Sequence, residues 1–162
     1  MLNEPNRKKI DVIGWREWLA LPDLGVTAIK AKIDTGARSS AIHAFDIHHF
    51  FEGEQPMVRF KMHPIQRSTT QTVEARAKVL DRRHVRNSGG QAEERTVILT
   101  TAQLKEHKWA IELTLTNRDV MGFRMLLGRA AVRDQFLVHP GRSYLLSHKP
   151  VVGSREDRYD ED

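Results

Sequence analysis

Ile33-Asp34-Thr35-Gly36-Ala37 follows directly on the apolar segment Ala28-Ile29-Lys30-Ala31-Lys32-Ile33, and its reading decides the fold. A strand here delivers a carboxylate to a turn that glycine lets fold sharply. The hydroxyl of Thr35 sits beside that carboxylate and can pin the loop. Two such carboxylates facing each other cannot both ionise, so they share one proton and form an acid–base pair. Asp-Thr-Gly occurs once in the 162 residues. A second carboxylate must then come from another subunit, or the pair does not exist.

Outward from this point the chain reads as short strands at intervals of about ten residues, the spacing of an all-β barrel. Upstream, Ile10 to Trp18 reads as a strand turning at Gly14, and Leu21 to Gly25 as a turn. Val26 to Ile33 alternates as a strand should. Downstream, strands are expected over Ser40 to Ile47, Met57 to Met62 and Thr72 to Val79, with a polar turn over Gln66 to Gln71. Val85 to Leu99 reads as a hairpin whose tip is Asn87-Ser88-Gly89-Gly90. Trp109, Ile111, Leu113 and Leu115 share one face of a further strand, and Met125-Leu126-Leu127 is a buried strand ending at Gly128. A short helix is expected over Ala130 to Phe136, with closing strands at Leu137-Val138 and Tyr144 to Leu146. No internal repeat is visible.

Composition narrows the class. An apolar fraction of 40% supports an ordinary core. There is no cysteine, which excludes disulfides and thiolate metal sites and suits a reducing compartment. Met1 to Lys9 lacks the apolar run of a signal peptide, and no stretch nears the roughly 20 apolar residues that span a bilayer. A cytoplasmic protein without membrane attachment is expected. One domain is expected over residues 10–150, between a disordered lead, 1–9, and a disordered acidic tail, 151–162. The formal net charge is +5; Gly153 to Asp162 carries −3 of it, leaving +8 on the body. A basic body favours an acidic partner.

Ile33 to Ala37, the tip Ser88-Gly89-Gly90 and Met125-Leu126-Leu127-Gly128-Arg129 together resemble the retropepsin-like aspartic proteases. Nearly the whole chain is also similar to the bacterial family labelled ATP-dependent zinc proteases, RimK-associated and RimB-like. Ile13 to Trp18, Ile29 to Ala44, Ile111 to Arg118 and Leu126-Leu127-Gly128-Arg129 carry that likeness. The resemblance implies a closed retropepsin-like β-barrel acting as a homodimer. It also implies peptide hydrolysis by Asp34 of both subunits, with Thr35 and Gly36 completing the catalytic loop. Ala37, Arg38 and His43 would line the substrate cleft, and Ser88, Gly89 and Gly90 would form a lid. Leu127, Gly128 and Arg129 would support the loop from behind. An arginine at position 38 would favour acidic peptides, glutamate-rich ones among them, because its planar fork grips carboxylates. A structural salt bridge for Arg38 and a plain turn for the glycines are the alternatives. The family's association with an ATP-grasp glutamate ligase points to the same substrate class.

Neither cofactor in the family label has a motif here. There is no phosphate-binding glycine loop followed by lysine, and none of the eight histidines lies in His-Glu-x-x-His. His43 and His49 would lie about 20 Å apart along one strand, and only Asp46 offers a neighbouring carboxylate. No metal, zinc or ATP is therefore expected. Arg82-Arg83-His84-Val85-Arg86 lacks interleaved aromatics, so nucleic-acid binding is not expected. Two alternatives to the peptidase stay open: a non-catalytic peptide-binding or dimerisation module of the same fold, and a zinc metallopeptidase.

Overall fold

A computed structural model describes residues 9–65, 71–86, 89–117 and 122–149. Ser88, Arg118, the polar turn from Gln66 onward and most of the expected lead and tail lie outside the described residues. The strands are β1 (Asp11–Gly14), β2 (Arg16–Leu21), β3 (Val26–Asp34), β4 (Ser40–His43), β5 (Phe45–Glu52) and β6 (Gln55–Met62). They continue as β7 (Val73–Arg86), β8 (Ala92–Leu104), β9 (His107–Thr116), β10 (Met125–Gly128) and β11 (Phe136–His139). A 3₁₀ turn, Pro22–Leu24, and one helical turn, α1 (Arg129–Val132), complete the described elements.

Six strands close a barrel in the order β2-β3-β10-β4-β9-β8, and Ala20 opposite Gln103 joins β8 back to β2. The all-β retropepsin-like barrel expected from the sequence is the observed architecture. Its interior is filled by Leu19, Ile29, Ile42, Ile98, Leu113, Leu115, Met125 and Leu127, each almost wholly buried. Burying each large aliphatic side chain contributes about 1.5–3 kcal/mol. β10 is buried at every position and lies inside the sheet, paired with β3 on one side and β4 on the other. β7, β6 and β5 extend the sheet beyond β8, while β1 and β11 form a separate parallel ribbon.

Several boundaries differ from the sequence reading. The strand expected over Ser40 to Ile47 is two strands: Ala44 still bonds to the Thr116 carbonyl, but Asp46 takes φ 50° and turns β5 away to pair with β6. The segments before and after Leu80 form one strand of 14 residues. Its first half pairs with β6 and its second with β8, the exchange falling at a register shift between Val79 and Asp81. The helix stops at Val132 rather than Phe136, since Asp134 adopts φ 63° and Phe136 already pairs with Asp11.

Tyr144 to Leu146 is not a strand. The amides of Leu145 and Leu146 donate to Glu17, a carboxylate with no exposed surface. Glu17 also accepts from the Gly14 amide at 2.8 Å and from the Ser147 hydroxyl at 2.8 Å. Backbone amides therefore find a buried carboxylate in place of a strand partner.

Candidate active site

β3 exposes Thr27 and buries Ile29, Ala31 and Ile33, then ends at a half-buried Asp34. Past that point Asp34 Oδ1 accepts from the Gly36 amide at 3.0 Å and the Ala37 amide at 3.3 Å. This is a turn in which an Asp side chain replaces a backbone carbonyl. A side chain at Gly36 would press on that oxygen, its first carbon 3.2 Å away. The carboxylate is thus held by one oxygen on a loop whose residues Thr35 and Gly36 are exposed.

The loop is supported from behind by the end of β10 and the start of α1. Arg129 donates from Nη1 to the Thr35 carbonyl at 3.0 Å and from its backbone amide to the Ala37 carbonyl at 2.7 Å. The Ala130 amide bonds to the Arg38 carbonyl at 3.0 Å. The Gly128 amide donates to the buried Ser40 hydroxyl at 3.0 Å, and any side chain at Gly128 would run into the Ser39 carbonyl. Leu127 is fully buried in the core beneath. The carbonyls of Thr35, Ala37 and Arg38 therefore each have a partner from this one segment.

Arg38 is exposed and lines a cavity of about 440 Å³ with Ser39, Ser40, Arg83, Glu112 and Ala131. His43 is not among the residues lining it. Its Nε2 lies 3.1 Å from the Asn117 carbonyl and its Nδ1 3.4 Å from Arg124 Nη1, so Nε2 carries the proton in this arrangement. The hairpin of β7 and β8 carries Gly89 and Gly90 at its tip, and Gly90 takes φ 79°, a conformation that suits glycine. Arg83, on the same hairpin, reaches the Arg38 cavity. The sequence had offered Arg83 only as a nucleic-acid contact; nothing local linked it to Asp34.

Among the described residues no three His, Asp or Glu side chains form a metal-holding group. His43 is turned to Asn117, His49 Nε2 lies 2.8 Å from Thr96 Oγ1, and His63 is bonded to the Gln71 carbonyl. Burial first, and the charge of Arg82 next, hold the His49 pKa below the ordinary histidine value, while Glu94 partly opposes them.

A family model described as RimB-like, the retropepsin-like aspartic endopeptidase RimB, matches residues 12–149. The chain belongs to the RimB-like family. Among its relatives, a probable alpha-L-glutamate ligase of Shewanella halifaxensis is 49% identical over 141 residues, covering 87% of this chain. One of Desulfotalea psychrophila is 45% identical over 129 residues, covering 80% of it. The chain spans only 31% and 28% of the lengths of these ligase-named proteins. A crystal structure of a Legionella pneumophila protein of unknown function matches 85% of this chain and 98% of its own at 26% identity, with a TM-score of 0.69. RimB-like membership agrees with the resemblance read from Asp34-Thr35-Gly36 and Leu126-Leu127-Gly128-Arg129. No helix among the described residues is long and apolar enough to cross a membrane.

Proposed function

We propose that this chain is an aspartic peptidase whose reacting pair is Asp34 and Asp34 of the partner subunit. The observation that carries this reading is the carboxylate itself. It is fixed through Oδ1 by two loop amides, half-exposed at a strand end, and backed by Leu127-Gly128-Arg129. In the pair, the ionised member takes a proton from a bound water, which attacks the peptide carbonyl. The protonated member donates to the developing oxyanion, and a proton then passes to the leaving nitrogen. The two apparent pKa values belong to the pair.

A second copy has a face to meet. On the β1–β11 ribbon, Val12 lies opposite Leu137, and both are exposed together with Ile10. The ribbon leads into the site, since the Trp15 carbonyl accepts from Ile33, next to Asp34. Burying these side chains between two copies supplies a driving force for the homodimer.

The substrate in this reading is an acidic, glutamate-rich peptide, and the setting is the cytoplasm. The basic body, the exposed Arg38 and the glutamate-ligase names of the longer relatives support that substrate. Those names also favour a second reading, a peptide-binding module that serves a ligase without cutting. The test is cleavage of oligoglutamate-containing peptides between pH 3 and 8, with Asp34→Asn as control. Cleavage that the Asp34→Asn substitution abolishes, with fold and dimer intact by sedimentation, supports the peptidase. Binding without any cleavage by the wild type selects the module. Activity lost to a chelator and restored by zinc refutes both.

A further inference from the structure

Two arginines from distant segments wall one cavity. Arg38, just after the Asp34 loop, is exposed and has no ion-pair partner among the described residues. Arg83 comes from the outer half of β7, where it lies opposite Arg95 of β8. Its Nε donates to Asp81 Oδ2 at 2.9 Å, and its Nη2 is 3.8 Å from Glu112 Oε2 on β9. Leu99, Ile111, Ala130 and Ala131 contribute apolar surface to the same cavity. Its volume, about 440 Å³, falls in the range of small-ligand sites, about 300–1,000 Å³.

We propose that this cavity is the subsite for an acidic side chain of the bound peptide, held between Arg38 and Arg83, with Glu112 the carboxylate that it displaces from Arg83. The inference rests on the peptide-binding part of the function proposed above and not on cleavage. An aliphatic stem ending in a carboxylate suits a cavity lined both by apolar side chains and by two arginines. The two partners of Arg83 differ in kind. Asp81 lies two residues away on the same strand, in direct contact, and its hydrogen bond from the Arg83 side chain, then that from the Arg82 amide, holds its carboxyl below the usual range. It stays ionised and anchors Nε. Glu112 makes a longer contact, and both side chains are about half exposed (46% and 59%), so solvent screens it. A guanidinium can keep one edge on Asp81 while its other edge changes partner. Once a ligand bridges both arginines, the hairpin that carries Gly89 and Gly90 is tied to the Asp34 loop.

The experiment measures binding of a fluorescently labelled oligoglutamate peptide to the full chain carrying Asp34→Asn, by anisotropy at low ionic strength, with oligoglutamine as control. Added to that background, Arg83→Gln weakens oligoglutamate binding about fivefold or more, the scale of a lost charge-assisted contact. Glu112→Gln tightens it about threefold, because a competing carboxylate is gone. That gain shrinks when Arg83→Gln is also present, the sign of a coupled pair. Oligoglutamine binding is unchanged throughout. The inference fails if Glu112→Gln leaves affinity unchanged or weakens it, if Arg83→Gln binds as tightly as its parent, or if oligoglutamate does not bind. A wild type that binds but never cuts leaves the subsite standing and removes the peptidase. One that cuts neutral peptides while ignoring oligoglutamate removes the subsite and spares the peptidase.

Discussion

Glu17→Gln tests what holds the C-terminal segment against the barrel. Glu17 Oε2 accepts from the Gly14 and Leu145 amides, both at 2.8 Å, and Oε1 accepts from the Leu146 amide at 3.0 Å and the Ser147 hydroxyl at 2.8 Å. Glutamine keeps one oxygen and presents an NH₂ where the other stood. Turned toward Gly14 and Leu145, that NH₂ faces two N–H donors. Turned the other way, it faces the Leu146 amide, and only the Ser147 hydroxyl can reverse its role. One or two buried donors lose their acceptor at about 1–3 kcal/mol each, and the remaining bonds lose their charge assistance. A loss of about 3 kcal/mol follows, a large part of a total near 5–15 kcal/mol. Urea unfolding at one fixed protein concentration measures it, since dimer formation would otherwise change the midpoint. The same change lowers the melting temperature by about 6–12 °C. A loss below about 0.5 kcal/mol would falsify the account and mean that water replaces the carboxylate at little cost.

Other outcomes follow from the same geometry. An equimolar mixture of wild type and Asp34→Asn under conditions of free subunit exchange shows about a quarter of the rate of the same total amount of wild type if both carboxylates are needed; a rate of about one half shows that each subunit works alone. Gly128→Ala forces a carbon into the Ser39 carbonyl, so the β10–β4 contact opens at a cost of about 3 kcal/mol, read as a lower unfolding midpoint. An unchanged midpoint rules out the tight passage seen there. His49 has a lowered pKa, so the unfolded chain takes up its proton first as pH falls below about 6.5, and stability contributed by neutral His49 is lost toward the folded value. His49→Gln flattens the stability profile as pH falls below about 6.5; an equally steep profile in this variant places the titration elsewhere.

The parts of the fold that read clearly in sequence are those whose signal is local. β3 alternates and then meets turn residues, β9 repeats Ile111, Leu113 and Leu115 on one face, and β10 is an unbroken apolar run because it is covered on both sides. β5 gave no such signal. It exposes most of Phe45-Asp46-Ile47-His48-His49-Phe50-Phe51-Glu52, Phe51 included, so its apolar residues follow no buried face. Tyr144-Leu145-Leu146 misled for the opposite reason: it is apolar enough for a strand, yet the Leu145 and Leu146 amides are satisfied by one carboxylate, and only that of Tyr144 reaches a backbone carbonyl, on Arg16. Glu17 and Arg83 carry no distinguishing signal in the sequence because their settings exist only after folding. Between two tryptophans, Glu17 looks like a surface charge until Ser147 and its neighbours arrive from the far end of the chain. Arg83 looks like one member of a basic run until the fold brings it to the cavity that Arg38 also lines.

The insertion of β10 between β3 and β4 also bears on the order in which this protein can mature. A chain emerging from the ribosome makes Asp34 early, and β7, β8 and β9 can zip together by neighbouring hairpins as they appear. The Asp34 loop cannot settle then. The groups that hold its carbonyls, the Arg129 guanidinium and the amides of Arg129 and Ala130, have not yet been synthesised. Closing that long loop in sequence is the slow, entropically costly contact of the topology. The carboxylate therefore gains its final setting only once β10 and α1 have been made, and a chain cut before Met125 carries the Asp34 loop without these three supports.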